Sequence, residues 1–466
     1  MTDDGRTERA LDGHDHPSDR GGAVRQGGIA RHGRLRRGHP VAFAAKVTAA
    51  TLAVVLVSTT SIAAIATWQV LQGARPTVQL AGPDGSSASP VPQLTAQTGE
   101  VNLLLIGTDT REGLGTGFDD AANQQASSGA GKNDSTVLVH ISEDHTNMAV
   151  VSFPRDLIVP MPACPNDDGT VSPATSGAML NTALGRGGPK NGLSCVAQTI
   201  GQLTGLQIDY AGSITFEGVV SMADAIGGVE VCLATPIRDT EVQPALDLPA
   251  GTRTLSGAEA GAFLRSRYGV GDSSDLGRIS NQQTFLSALA RQTVSAGTLT
   301  DPTKVLAIAR VAFANMTLSD TLADASTLAK LALAVNTVGL SNMVFVQYPA
   351  VDDPADRNRV LVDESAAAVL DDALQRNLPL TLSADSLGRS AVLDPAAPAA
   401  PAAPGVSASP STGAGGEPSG EATDGAVDVV PGAGATPAPT PAPTSAALPG
   451  NVSGQSADQV TCAKRD

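Results

Sequence analysis

The sequence predicts a layered α/β domain with unstructured ends, on three observations. Apolar β-branched runs alternate with stretches of helical spacing through the middle of the chain. Both flanks shift to Gly, Pro, Ser and Ala, and one uncharged stretch near the start is long enough to cross a membrane. The chain has 466 residues, but 49 Gly, 31 Pro and only 16% charged residues point to one main domain rather than three. With 3% aromatic and 41% hydrophobic residues, any core is built from Ala, Val, Leu and Ile, which disfavours a base-stacking platform. A formal net charge of −16 also argues against a general nucleic-acid partner.

Taken in order, residues 1–46 form a basic arm that is expected to be disordered. Residues 1–75 carry ten basic and six acidic side chains, and the remainder carries twenty against forty. From Val47 to Val70 no residue is charged. These residues would make a helix of about 36 Å, enough to span a hydrocarbon core of about 30 Å. Arg31, Arg34, Arg36, Arg37 and Lys46 precede it and Arg75 follows, which places the N-terminus in the cytoplasm and the rest outside. Trp68 suits an interfacial anchor. A cleaved signal peptide, with Ala64 and Ala66 near the cut, is the competing reading; signal cores are usually shorter, about 7–15 residues. Both readings export the same domain.

Residues 71–98 read as a linker and 386–466 as a Pro/Ala/Gly-rich disordered tail, because neither holds enough apolar residues to offset the entropy of ordering it. Between them lies one domain, 99–385. Val101–Ile106 reads as a strand buried on both faces, and Thr136–Ile141 with Met148–Phe153 reads as a hairpin. Helical spacing follows at Val219, Met222, Ala223 and Ile226 before Gly227-Gly228, then at Phe285, Leu286 and Leu289. Two further helices are expected near Lys304–Phe313 and Ala323–Val335, before a strand at Met343–Tyr348.

Cys164, Cys195, Cys232 and Cys462 all lie on the side assigned as exported and match no zinc spacing, so disulfides are favoured over metal or buried thiols. Four cysteines allow three connectivities; a Cys164–Cys195 bridge would contribute about 3 kcal/mol by chain entropy.

His140 and His145 are the only histidines in the domain, which leaves little for a Ser-His-Asp arrangement. The domain instead sets arginine and lysine beside carboxylates in turns. These are Asp109-Thr110-Arg111, Lys132-Asn133-Asp134, Pro154-Arg155-Asp156, Arg265-Ser266-Arg267 and Asp275-Leu276-Gly277-Arg278. Phosphoryl transfer asks mainly for positioning and charge compensation, which guanidinium forks and a carboxylate-held Mg²⁺ supply. Each piece alone is an ordinary turn or a solvated pair. Their occurrence together, in order, is what points to a phosphate site.

The ordered segments Asn102–Arg111, Lys132–Ser142, Val150–Pro162, Met179–Gly188, Ile208–Val231 and Leu255–Gln283 resemble the LytR-CpsA-Psr family of bacterial cell-envelope enzymes. The resemblance implies an α-β-α layered domain with a mixed central sheet and an apolar channel for a polyprenyl tail. It implies Mg²⁺-assisted transfer of a phosphate-linked glycopolymer from a polyprenyl pyrophosphate carrier to a peptidoglycan hydroxyl, the polymer being arabinogalactan in an actinobacterial setting. By the same resemblance Asp109 and Asp134 hold the metal. Arg155, Arg265, Arg267, Arg278 and Gln282 bind pyrophosphate, and Asp275 helps deprotonate the acceptor while Arg267 and Arg278 act with it in catalysis. Lys132 and Asn281 depart from the family pattern, each standing where an arginine is usual. The expected protein is a single-pass plasma-membrane enzyme with an extracellular catalytic domain. The competing functions are a pyrophosphatase using the same lipid and a lipid-binding regulatory protein without turnover.

Overall fold

Val101–Thr108 (β1) runs unbroken apolar from Leu103 to Ile106 because strands pair with it on both edges and layers lie on both its faces. The computed structural model describes residues 77–82, 99–108, 131–295, 302–383, 385–396 and 445–465, all within one compact unit, Ala63–Asp466. The stretch Val47–Val70 lies outside them; among the described residues no helix is long and apolar enough to cross a membrane.

The expected hairpin is present: Asn133–Ile141 (β2) pairs antiparallel with Met148–Phe153 (β3), and β2 pairs antiparallel with β1. Three further strands join this sheet: Tyr210–Thr215 (β4) parallel to β1, Met316–Leu318 (β5) antiparallel to β4, and Met343–Gln347 (β6) parallel to β3. Gly454–Ser456 (β7) closes its edge antiparallel to β6, so the sheet is mixed, in the order β5-β4-β1-β2-β3-β6-β7. Strands β1, β3, β4 and β6 therefore run the same way, and their carboxyl ends share one rim.

Helices lie on both faces. Ala183–Thr204 (α1) and Glu364–Gln375 (α2) were not expected from the sequence. They press Leu193, Val196, Ile200, Ala366, Leu370 and Leu374 onto the face that presents Leu104, Ile106, Leu138 and Val151. The other face meets three of the expected helices, Asp275–Ser295 (α4), Pro302–Asn315 (α5) and Ala325–Val338 (α6), while the fourth, Phe216–Ala225 (α3), places Ala223 in a separate cluster with Phe263 and Phe285. Thr215 caps α3 by accepting from the Gly218 amide, and Asp324 caps α6 by accepting from the Thr327 amide. Gly228, at φ 87°, follows α3 where a Cβ would lie 2.8 Å from Thr254 Cγ2, which is why that stop needs glycine.

Two sequence expectations are corrected. The 71–98 linker is not uniformly unstructured: Val78 and Leu80 are buried in the core, and the Val78 amide donates to the Leu318 carbonyl at 2.9 Å. The tail expected at 386–466 is ordered at both its ends. Ala391–Leu393 (β8) and Thr461–Ala463 (β9) complete a sheet with Val229–Leu233 (β10) and Gly251–Leu255 (β11), while β7 enters the main sheet. Composition concealed this, because these short strands gain their order from pairing with distant chain rather than from their own apolar content. The bridges are Cys164–Cys195 and Cys232–Cys462, with Cα separations of 5.6 and 4.4 Å.

Candidate functional site

The site is assembled at the shared rim from a bulge, a turn and a helix start. Between β1 and β2, Gly107 faces Ser135 but Thr108 faces Asn133, leaving Asp134 as the extra residue of a bulge. Asn133, fully buried, fixes that bulge: its Nδ2 donates to Thr136 Oγ1 at 3.0 Å and its Oδ1 accepts from the Leu184 amide at 3.2 Å. After β3, the Leu157 amide donates to the Pro154 carbonyl and closes the turn that carries Arg155 and Asp156. Ser274 Oγ accepts from the Gly277 amide at 3.0 Å, capping α4 at its first residue, Asp275. Asp275, Arg278 and Gln282 then fall on one face of α4 by helical spacing.

These side chains converge. Arg155 Nη1 lies 3.1 Å from Asp134 Oδ1, and its Nε lies 3.4 Å from Asp156 Oδ2 and 3.7 Å from Asp275 Oδ1. Arg278 Nη2 lies 2.7 Å from Asp275 Oδ1 and donates to the Asp134 carbonyl, 144 positions away in sequence, at 2.8 Å. Burial works against the charge of Arg155, but the carboxylates of Asp134, Asp156 and Asp275 prevail and hold its pKa above the ordinary arginine value. Arg278 is almost fully buried, and that burial lowers its pKa against the pull of Asp275. Arg267 is near enough for its charge to act on Arg278 as well.

Gln282 Nε2 donates to the Leu264 carbonyl at 3.0 Å, and its Oε1 accepts from Ser135 Oγ at 3.5 Å, so it links α4 to the start of β2. Arg265 donates to the Gln243 carbonyl. Asp109 and Arg111 lie outside the described residues. Asn281 is fully buried and donates to the Phe263 carbonyl at 2.9 Å, so this departure from the family pattern fills an interior position. Lys132 is exposed.

Sequence reasoning missed Asp239. Buried at 2% exposure, it accepts from Ser266 Oγ at 2.7 Å and from the Gly269 amide at 3.2 Å, shaping the loop that carries Arg267. No local pattern announces it. Ser274 had a visible signal, a serine-rich turn just before the helical residues.

Beyond Gln282, α4 and the sheet bring apolar side chains to one cluster. Leu286, Ala290 and Val294 on α4 and Leu103, Val137 and Val139 on the sheet are only partly buried, although they lie between two layers.

Two guanidiniums against three carboxylates leave the contacting cluster with a negative excess, which a divalent cation would reverse before a diphosphate could settle there. The oxygen donors suit a hard cation. Among the described residues, the one group of three His, Cys, Asp or Glu side chains with ligand atoms within 4.8 Å of one another is Cys232, Asp394 and Cys462, elsewhere in the fold, and its sulfurs are joined in a disulfide.

The LytR_cpsA_psr family model matches residues 70–376, two-thirds of the chain and the whole of this site. The chain belongs to the LytR-CpsA-Psr family. It is 33% identical over 215 residues to a probable cell wall biosynthesis protein, LcpB, of Corynebacterium glutamicum, covering 46% of this chain and 47% of that protein. It is 27% identical over 194 residues to the polyisoprenyl-teichoic acid–peptidoglycan teichoic acid transferase TagT of Bacillus subtilis, covering 40% and 51%. The chain spans about half the length of the curated relatives it matches. Among solved structures it is similar to a LytR-Csp2A-Psr enzyme from Actinomyces oris, at TM-score 0.43 and 20% identity over 65% of this chain and 96% of that one.

Proposed function

We propose that this chain is an envelope enzyme that transfers a phosphate-linked glycopolymer from a polyprenyl pyrophosphate carrier to peptidoglycan. The observation that carries the reading is the Asp134–Arg155–Asp275–Arg278 cluster; we read the partly buried Leu103, Val137 and Val139 of the sheet and Leu286, Ala290 and Val294 of α4 as the walls of an apolar slot beside it. Family membership and the transferase activity for which relatives such as TagT are named support it. In this reading the slot walls bind the isoprenoid, and Arg155, Arg267 and Arg278 bind the diphosphate, displacing the carboxylates that now neutralise them. In the same reading Gln282 and Arg265 complete the diphosphate-binding set. Asp275, at the helix start, accepts the proton of the attacking hydroxyl. Asp134, with Asp109, would hold Mg²⁺, which when bound stabilises charge on the phosphoryl oxygens. Residues 47–70 anchor the protein in the plasma membrane with its N-terminus cytoplasmic and the domain outside, a placement that the two disulfides favour. The polymer is arabinogalactan if the actinobacterial relatives are the guide.

The test uses the full chain in detergent with a labelled polyprenyl-pyrophosphate glycan, with and without peptidoglycan, with and without a chelator. Label should reach peptidoglycan only when acceptor and divalent cation are present. Arg278→Lys keeps the charge and loses the fork, and should lower kcat/KM about 10²-fold. Release of label at the same rate without acceptor would make the chain a pyrophosphatase, and binding without turnover a lipid-binding protein.

A further inference from the structure

The helix that carries Asp275, Arg278 and Gln282 has an unusual interior. Ser280, Asn281, Gln283, Thr284 and Ser287 of α4 are all at most 2% exposed, so this helix is seated by hydrogen bonds as well as by the apolar contacts of Ile279, Phe285 and Ala288. Many of its partners come from the C-terminal residues 385–396 and 445–465, beyond the matched family span. Ser390 Oγ donates to the Gly277 carbonyl at 2.7 Å, and the Ser390 amide donates to Ser280 Oγ at 3.1 Å. Gln455 Nε2 donates to the Gln283 carbonyl at 3.0 Å. Arg291 in turn donates to the carbonyls of Ala457 and Gln459, at 3.1 and 2.8 Å. At Gly388 the two segments touch so closely that a Cβ would lie 2.6 Å from Ser280 Cβ.

The same segment grips the turn that leads into the helix. Arg389 Nη1 lies 2.7 Å from Asp272 Oδ2, and the Gly271 amide donates to the Lys464 carbonyl at 2.9 Å. The Lys464 amide donates to the Ser390 carbonyl at 2.8 Å, tying the two halves of the segment together. Cys462 then fixes the whole to β10 through Cys232, 230 positions earlier.

We propose that this segment is a strap that positions the start of α4, with Ser390, Arg389 and Cys462 as positioning residues. It holds Asp275 and Arg278 where they meet Arg155 and Asp134, so that pyrophosphate affinity depends on chain that touches no substrate. The dependence on affinity rests on the proposed function; the effect on local order does not.

The test compares the full chain with Cys232→Ser/Cys462→Ser, Ser390→Ala, Arg389→Gln and Arg389→Lys, with farnesyl pyrophosphate as the probe. Amide exchange across 271–282 should quicken about tenfold in the double cysteine variant and about threefold in Ser390→Ala and Arg389→Gln, while β1–β3 exchange as in the parent. The probe's Kd should rise by similar factors, and Arg389→Lys should recover parent behaviour in both exchange and binding. Unchanged exchange at 271–282, or equal loosening of β1–β3, overturns the strap. Should the cysteine variant fail to fold, Ser390→Ala and Arg389→Gln decide alone. A parent that does not bind farnesyl pyrophosphate overturns the proposed function, while the exchange measurement still decides the strap.

Discussion

Leu103 and Leu104 are neighbours in one strand with the same side chain, yet they meet different surroundings on the two faces of the central sheet. Leu104 is fully buried with Ile106, Leu138 and Val151 under α1 and α2. Those helices bring Ala366, Ala367 and Ala373 to the contact, and such small residues allow a close approach. Leu103 faces α4, α5 and α6 and remains only partly buried, as do Leu105, Val137 and Val139. The apolar content of the two faces is similar; how closely the helices cover them differs. Both faces bury a core, Val101, Val150 and Phe345 on the second among them, but only the second leaves sheet residues such as Leu103, Val137 and Val139 partly uncovered.

The largest effects should come from shortening side chains on the closed face. Leu104→Ala or Leu138→Ala leaves a cavity with nothing free to fill it, and should cost about 2–5 kcal/mol. Leu103→Ala should cost about 1 kcal/mol or less, because part of that side chain is already exposed. Urea unfolding midpoints measure both. Equal costs would mean the two faces are packed alike and would remove the slot.

Adding bulk sharpens the contrast at the next level of effect. Leu138→Trp should overpack the closed face and lower stability by several kcal/mol, whereas Val139→Trp should stay within about 1 kcal/mol of the parent. The slot variant should also separate ligands. Farnesyl pyrophosphate binding should weaken about tenfold or more while inorganic pyrophosphate binding stays near the parent value, as titration calorimetry would show. A loss of both would place the tail elsewhere.

How much of this was legible in the sequence follows from what each element depends on. β1, the β2–β3 hairpin and α3 to α6 declare themselves because their apolar periods are local and their stops are marked, as at Gly227-Gly228. The helix α1 was missed because Gly185, Gly187, Gly188 and Pro189 interrupt its first turns, and the backbone at Gly188 itself leaves the helix, with φ 73° and ψ −176°. At the site, the residue types and their order were legible, and the contact of Asp134, Arg155, Asp275 and Arg278 agrees with them. The negative excess of that contact set was not legible, since it depends on which pairs form in space. The strap was the least visible part. Its one signal was Cys462, a lone cysteine that would complete an even count from within a segment of tail composition.

The smallest effect concerns the far end of the closed face, where a polar pair interrupts the apolar packing. Asn102 Nδ2 donates to Glu100 Oε1 at 2.7 Å, which leaves its Oδ1 to accept from His140 Nδ1 at 2.8 Å, and its amide donates to Asp209 Oδ2 at 3.0 Å. Burial pushes Asp209 up to about 7 and His140 down to about 4, with the Glu100 charge opposing the shift of His140 and adding to that of Asp209. Asp371, beside the Tyr348 hydroxyl, is likewise raised to about 7 by burial. An acid raised on folding contributes stability below its unfolded pKa and loses it as pH rises through the folded one, so Asp209 and Asp371 favour acid between about 4 and 7. A histidine lowered on folding has the opposite sign: its contribution is present above 6.5 and is lost as pH falls towards 4. The two effects oppose one another, and the parent's Tm should fall only gently as pH rises from 5 to 7.5. Asp209→Asn removes one acid contribution and should flatten that fall, while His140→Gln removes the opposing one and should steepen it. Parallel Tm profiles for all three proteins would show that this polar end does not couple to folding, and that the closed face is held by its apolar residues alone.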